Sequence, residues 1–217
     1  MPFKTVLFDL DGTLTDSAPG IINSICHAFE RLEEPTPDIE LLRAHFIGPP
    51  LDDSFVRFYG FSREKAWLGV LYFREYFNVK GYLENSLYPG IKELLAKLKA
   101  EGVRMAVATS KPEVFARKIL EHFEIAEYFD YIGGATPDRT RIKKNDVIFY
   151  VLDQLGNPDR DGIVMVGDKE HDVFGAKAAD IPCIGVTYGY GGREELENAG
   201  ADYIVDSLDD VFNIVCK

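Results

Sequence analysis

The sequence is poor in cysteine and in positive charge. Its three cysteines, Cys26, Cys183 and Cys216, are scattered and form no CxxC pair. An odd, scattered set argues against a disulfide framework and is typical of a reducing compartment. Lys and Arg together number 24 against 36 Asp and Glu, a formal net charge of −12. Because such a surface repels a polyanion, we expect no nucleic-acid partner.

Long hydrophobic runs are also lacking. No stretch approaches the roughly 20 apolar residues of a membrane span. The apolar stretch at the start of the chain is interrupted by Lys4 and is too short for a signal peptide. We therefore expect a cytoplasmic protein that does not contact a membrane.

What the sequence does contain is a series of short runs of β-forming residues, each followed by a helical pattern. Several of the runs are apolar almost throughout, as in parallel strands covered on both faces. This alternation predicts an α/β fold with a doubly wound, Rossmann-like parallel sheet, in which ligands bind at the carboxyl ends of the strands. The predicted strands are 3–8, 103–109, 129–133, 162–167, 183–187 and 202–205.

The alternation is interrupted between residues 16 and 88, where the pattern is helical only. We predict an inserted all-helical domain at 16–88 and an α/β core domain formed by 1–15 and 89–217. Nearly half of the aromatic residues lie in the predicted insert. They could pack a small helical core, or form a face that stacks on a base, and the sequence leaves both interpretations open.

Polar side chains follow the predicted strands at the points where these end. Alone, each has an ordinary explanation as a turn, a helix cap or a solvated lysine. In a doubly wound sheet, however, they would meet at one rim, where unneutralised carboxylates repel one another. Mg²⁺ with a substrate phosphate would resolve that repulsion, and hydroxyl and lysine groups suit a phosphoryl group. The residues concerned are Asp9, Asp11, Thr109, Ser110, Lys143, Lys144, Asp168 and Asp172.

The order and spacing of these motifs resemble those of the haloacid dehalogenase superfamily, and in particular its phosphoglycolate-phosphatase-like branch, which carries a helical cap after the first motif. The resemblance spans essentially the whole chain. It implies that Asp9 is the nucleophile and that Asp11 is the general acid and base. It further implies metal contacts through Asp9, the Asp11 carbonyl, Asp168 and Asp172, and phosphate contacts through Thr109, the Ser110 amide and Lys144.

The resemblance implies a Mg²⁺-dependent phosphatase that hydrolyses a small-metabolite phosphate monoester, such as phosphoglycolate or a nucleoside monophosphate, through an aspartyl-phosphate. We expect a monomer or weak dimer, with Arg43, Gly48 and Pro49 of the cap contacting the leaving group. A phosphomutase of the same superfamily and a receiver-like phospho-signalling module are the alternatives. A dehalogenase is disfavoured because members with that activity lack the second acid, present here as Asp11.

Two adjacent lysines compete for the phosphate-binding role. Many members of the superfamily have a proline after this lysine, whereas Asn145 follows here. Lys144 stands 3, 4, 7, 8 and 11 residues before an apolar stripe, the spacing of one helix face. We therefore predict that Lys144 binds phosphate and that Lys143 is surface charge. The stripe consists of Val147, Ile148, Val151, Leu152 and Leu155.

A glycine-rich run occurs late in the chain, at residues 189–192. It lacks the G-x-G-x-x-G spacing and does not follow the first strand, which excludes a dinucleotide-binding fingerprint. We predict a turn near the rim of the site.

Overall fold

The structure is a computed structural model that describes residues 2–47, 50–138 and 140–217. The chain divides into two compact units. One unit comprises Met1–Asp16 and Leu87–Lys217, and we call it the sheet unit. The other comprises Ser17–Ser86, and we call it the helical unit.

The strands and α-helices of both units are numbered in chain order, and those of the sheet unit mostly alternate. The strands are β1 (Thr5–Phe8), β2 (Thr15–Asp16), β3 (Ser86–Leu87), β4 (Arg104–Pro112), β5 (Tyr131–Ala135), β6 (Ile163–Gly167), β7 (Cys183–Val186) and β8 (Tyr203–Val205). The α-helices are α1 (Ala18–Arg31), α2 (Ile39–Phe46), α3 (Leu51–Tyr59), α4 (Arg63–Phe77), α5 (Ile91–Ala100), α6 (Glu113–His122), α7 (Lys144–Gln154), α8 (Glu170–Ala178), α9 (Arg193–Ala199) and α10 (Leu208–Cys216). Across the described ranges, no helix combines the length and hydropathy that crossing a membrane requires.

The sheet unit is built on six parallel strands in the order β5-β4-β1-β6-β7-β8. This confirms the predicted doubly wound parallel sheet. Strand β1 lies inside the sheet, and the chain fills the β4 side before it crosses to the β6 side. Because the strand order reverses beside β1, the crevice at its carboxyl end is the expected ligand site.

The register of the three central strands brings their polar ends to one level. Phe8 at the end of β1 pairs with Val107 of β4 and with Val166 of β6. Asp9 is the next residue after Phe8, and Thr109 and Asp168 each lie two residues beyond the paired valines. Parallel pairing therefore gathers these three side chains at one edge of the sheet.

The apolar stripe of α7 packs against the sheet. The buried residues of α7 are Lys144, Val147, Ile148, Val151 and Leu152. Lys144, the first residue of α7, therefore lies on the same helix face as the apolar stripe, as the sequence spacing predicts. Strands β1 and β6 are buried along their whole length. Burial on both faces explains why these strands are apolar almost throughout.

Strand β4 ends later than the sequence indicated. The sequence predicts a strand over 103–109, whereas β4 runs to Pro112, which is the N-cap residue of α6. The pairing of β4 with β5 shifts register between Ala108 and Pro112. In the added segment, burial alternates between Thr109, Ser110 and Lys111. A strand segment whose polar residues face a site lacks the apolar run by which buried strands are recognised in a sequence.

The helical unit consists of α1 to α4, which pack around aromatic rings. The Phe29 ring is central, with ring centroids of Phe46, Phe55, Tyr59 and Phe61 between 5.0 and 6.3 Å from its own. Phe29, Phe46 and Phe55 are almost completely buried. These aromatics therefore pack a helical core, the first of the two interpretations given above. By contrast, the rings of Phe58 and Trp67 remain exposed.

Candidate active site

Lys144 connects two of the carboxylates at the strand ends. Its Nζ lies 2.8 Å from Asp9 Oδ1 and 2.7 Å from Asp172 Oδ1. It also donates a hydrogen bond of 3.0 Å to the carbonyl oxygen of Ala108. Burial lowers the pKa of Lys144, but the carboxylates of Asp172 and Asp9 raise it by more, so the net shift is upward. The ammonium is therefore a fixed positive charge beside Asp9. Lys143, in contrast, is exposed.

Asp168 is held by a loop and by the turn after β1. Its Oδ1 accepts a hydrogen bond of 3.1 Å from Thr13 Oγ1, and its Oδ2 accepts one of 2.7 Å from the Tyr190 amide. Gly12 has a φ of +83°, and a Cβ there would lie 2.2 Å from Asp168 Oδ2. A Cβ at Gly189 would lie 2.3 Å from the Gly12 carbonyl oxygen and 2.4 Å from Asp168 Cβ. The glycines thus allow the backbone to enclose this carboxylate.

Crowding of carboxylates changes how two of them titrate. Burial, together with the carboxylates of Asp172 and Asp9, raises the pKa of Asp168 to about 8. Burial also raises the pKa of Asp9 to about 6, with the Lys144 ammonium acting in the opposite direction. Two deprotonated carboxylates are therefore costly here unless a cation accompanies them.

The donor set at this rim fits a hard divalent cation. One carboxylate oxygen from each of Asp9, Asp168 and Asp172 lies within 4.8 Å of the others. All three donors are oxygens, the ligands that Mg²⁺ prefers. The Asp172 oxygens already contact the Lys144 ammonium and the Lys169 amide, at 2.7 and 3.1 Å. The Lys144 ammonium therefore already offsets part of the Asp172 charge.

Asp11 pairs with a lysine that the sequence analysis did not single out. Nζ of Lys111 lies 2.8 Å from Asp11 Oδ2 and 3.0 Å from Asp11 Oδ1. The Lys111 side chain is 4% exposed and that of Asp11 is 24% exposed. The only sequence signal was the spacing of two residues between Thr109 and Lys111, which matches that between Asp9 and Asp11. Because β4 continues to Pro112, Thr109 and Lys111 are both in the strand, and their spacing places them on the same face of it.

Of the two predicted hydroxyl residues, one faces Asp9. Thr109 is 1% exposed, and its side chain lies close enough to Asp9 to lower the pKa of that carboxyl group. Its Oγ1 also accepts a hydrogen bond of 3.2 Å from the Lys111 amide. The neighbouring Ser110 is exposed, so its predicted contact would involve the backbone amide and not the hydroxyl.

The residues predicted to contact the leaving group belong to the helical unit. Arg43 lies on α2, largely exposed to solvent, with Nε 3.9 Å from Glu40 Oε1. Gly48 and Pro49 lie outside the described residues. The role of all three in substrate recognition stays a prediction.

Comparison with known proteins gives consistent similarities along nearly the whole chain. The family model "Haloacid dehalogenase-like hydrolase" matches residues 6–186. A 5'-nucleotidase of Pseudomonas aeruginosa is 45% identical over 194 residues, covering 89% of this chain and 87% of that protein. A phosphoglycolate phosphatase of Vibrio parahaemolyticus is 33% identical over 221 residues, covering 98% and 96%.

Two further similarities extend this comparison. The tyrosine-protein kinase PtkA of Mycobacterium tuberculosis is 43% identical over 201 residues, covering 93% of this chain and 68% of that protein. The crystal structure of a predicted phosphatase from Clostridium acetobutylicum superimposes with a TM-score of 0.90 at 47% identity, covering 98% of both chains.

Proposed function

Since the chain belongs to the haloacid dehalogenase-like hydrolases and is a phosphatase of that family, we propose that it hydrolyses a small-metabolite phosphate monoester with Mg²⁺ as cofactor. The observation that carries this proposal is the position of Asp9. It lies just after β1, 8% exposed, with the Lys144 ammonium 2.8 Å from its Oδ1 and the Thr109 side chain near enough to lower its pKa. A phosphate group that Asp9 attacks here could accept hydrogen bonds from the Lys144 ammonium and from the Thr109 hydroxyl.

In the proposed reaction, a carboxylate oxygen of Asp9 attacks phosphorus and the ester oxygen leaves, which produces an aspartyl-phosphate. Asp11 donates its proton to the departing oxygen. It then takes a proton from the water that attacks the aspartyl-phosphate, so that Asp9 and inorganic phosphate are released. Lys144 and Thr109 hold the phosphoryl oxygens through both steps, and because Lys144 remains protonated it offsets their charge.

Asp9, Asp168 and the backbone carbonyl of Asp11 would hold the Mg²⁺ ion, with Asp172 acting from the outer side through Lys144. Four carboxylates and two lysine ammoniums at this rim leave two negative charges when all are ionised, and one divalent cation would neutralise these. A bound Mg²⁺ supplies stabilisation of the charge on the phosphoryl oxygens. Ca²⁺ should bind but inhibit, because its larger and looser shell misplaces the donors.

For the substrate we propose a nucleoside 5'-monophosphate before phosphoglycolate. The support is the name of the Pseudomonas aeruginosa relative, a 5'-nucleotidase at 45% identity, against 33% for the phosphoglycolate phosphatase. The test is phosphate release with Mg²⁺ from nucleoside 5'-monophosphates, with their 3'-isomers as matched controls, and from phosphoglycolate and sugar phosphates. The proposal expects the highest kcat/KM among the 5'-monophosphates. If none of these esters were hydrolysed, the proposal would be contradicted.

Transfer of the phosphoryl group to an acceptor other than water is the second candidate, because the relative PtkA is named a tyrosine-protein kinase. Stoichiometry separates the two candidates. Hydrolysis releases one inorganic phosphate for each alcohol, whereas transfer to another hydroxyl releases alcohol in excess over phosphate. Measuring both products in one reaction, with and without an added hydroxyl acceptor, distinguishes them.

A further inference from the structure

The ion pair between Lys111 and Asp11 has no part in the reaction as written above. We propose that Lys111 is a positioning residue, which fixes the orientation of the Asp11 carboxyl group so that it can exchange a proton with the leaving oxygen and with water. This inference rests on the proposed function, because it presupposes that Asp11 is the general acid and base.

The contacts at the rim divide between the two buried lysines. Lys144 contacts Asp9 and Asp172, both at less than 3 Å. Lys111 contacts both oxygens of Asp11, at 2.8 and 3.0 Å. Two contacts from one ammonium restrict rotation of the carboxyl plane, which a single contact would leave free.

The lysine itself is held firmly. Lys111 lies in β4 with its side chain 4% exposed. Its amide donates to Thr109 Oγ1, and the strand end is paired through Pro112 with Ala135 of β5. Asp11, by comparison, lies in the turn after β1 and is more exposed. The rigid strand can therefore set the position of the group in the turn.

Such positioning has measurable value. General acid–base catalysis contributes about 10²–10⁴-fold only when the group is within hydrogen-bonding distance of its target. A displacement of about 1 Å can cost about 10²-fold in rate. The alternative is that Lys111 leaves Asp11 and binds the substrate phosphate directly. The two roles differ in how their loss depends on the leaving group.

The experiment compares an alkyl phosphate, whose leaving group needs a proton, with 4-nitrophenyl phosphate, whose leaving group does not. Variants are Asp11→Asn, Lys111→Met and the double variant. We expect Lys111→Met to lose about 10–10²-fold in kcat/KM on the alkyl ester and only a few-fold on the nitrophenyl ester, because kcat/KM reports the formation of the aspartyl-phosphate and not its hydrolysis. The double variant should be no slower than Asp11→Asn alone, since Lys111 acts through Asp11. Lys111→Arg should recover part of the loss.

Arg104→Met is the matched control, because it removes an ion pair with Asp130, of 2.9 Å, at the opposite end of the same strand. It should leave both esters unaffected. The ratio of the two kcat/KM values does not depend on the fraction of folded protein, so partial misfolding cannot imitate the effect. If Lys111→Met does not fold, the same ratio in Lys111→Arg decides.

The outcomes separate the inference from the proposed function. Equal losses on both esters, with a raised KM and weaker inhibition by inorganic phosphate, would show that Lys111 binds phosphate and would overturn the inference. Additive losses in the double variant would also overturn it. If Asp11→Asn itself lowered kcat/KM equally on both esters, the proposed role of Asp11 as general acid would be wrong and the inference would fall with it.

Discussion

Asp9 is a buried carboxylate whose environment would be unfavourable without its neighbours. Burial raises its pKa to about 6, and the Lys144 ammonium counteracts that rise. A side chain kept in this position at the carboxyl end of β1 is a candidate for chemistry, because a structural role would be filled more easily by an uncharged residue. The same reasoning applies to Asp168, which is completely buried.

Asp9→Asn should abolish turnover, by more than about 10⁴-fold, because an amide does not replace the carboxylate as a nucleophile. Phosphate release measures the loss, and intact mass after acid quenching detects the aspartyl-phosphate in the unchanged protein. Asp130→Asn removes the carboxylate that pairs with Arg104 at the far end of β4, and it serves as the control. Retained turnover in the Asp9 variant would end the covalent mechanism.

The two adjacent lysines allow a second comparison. Lys144→Ala should lose about 10²–10³-fold in kcat, because it removes a preorganised positive charge beside the phosphoryl group. Lys143→Ala should remain within a few-fold of the unchanged protein, since Lys143 is exposed at the N-cap position of α7. Steady-state kinetics on one substrate measures both. A larger loss in Lys143→Ala would contradict the assignment of Lys144.

At this scale, the site residues that directly follow strands are the ones that the sequence predicts. Asp9, Lys144 and Asp168 could be predicted to meet because parallel strands share a rim. Lys111 could not, since its role depends on β4 continuing past Thr109, which polar residues do not signal. The hydrogen bond from the Tyr190 amide to Asp168 was equally inaccessible, because any residue type can supply a backbone donor.

At the scale of elements, the strands of the main sheet could be predicted because β1, β6 and β7 are buried along their whole length and are therefore apolar. Their ends were less predictable. The sequence predicts the glycine-rich run 189–192 as a turn near the rim of the site, and the structure places it there, against Asp168. The requirement for glycine there arises from close approach of the backbone to a carboxylate that is about 20 residues earlier in the chain.

That loop gives a prediction of its own. Gly189→Ala would place a Cβ 2.3 Å from the Gly12 carbonyl oxygen and 2.4 Å from Asp168 Cβ, so the carboxylate must move. We expect the Mg²⁺ concentration that gives half-maximal activity to rise about 10–100-fold, because disturbing the groups around a metal ligand usually lowers metal affinity by that factor. Titration of activity with Mg²⁺ measures it.

Gly162→Ala is the matched control, since the nearest atom to a Cβ there is 3.8 Å away, on the Lys4 side chain. It should leave the Mg²⁺ titration unchanged. An unchanged titration in Gly189→Ala as well would show that the loop does not constrain the metal ligand.

At the scale of the whole molecule, the acidic rim links stability to pH and to metal. Without metal, the pKa of Asp9 is about 6 and that of Asp168 about 8, against 3.8 for an ordinary aspartate. Between pH 3.8 and about pH 8, the folded state therefore binds more protons at these two groups than the unfolded state does. Stability therefore decreases as pH rises from about 4 toward about 8, the opposite of the usual behaviour of a salt-bridged carboxylate.

Mg²⁺ would take the place of those protons, so its stabilising effect should grow with pH. We expect the rise in Tm on exchanging EDTA for Mg²⁺ to be larger at pH 8 than at pH 6, because at pH 6 protons still compete for Asp168. For a chain of this size each kcal/mol of stabilisation raises Tm by about 2–4 °C. Thermal unfolding followed by circular dichroism measures both series. Asp168→Asn should remove most of the pH slope and most of the response to Mg²⁺ together. A response to Mg²⁺ that is independent of pH, or that survives in this variant, would place the ion elsewhere.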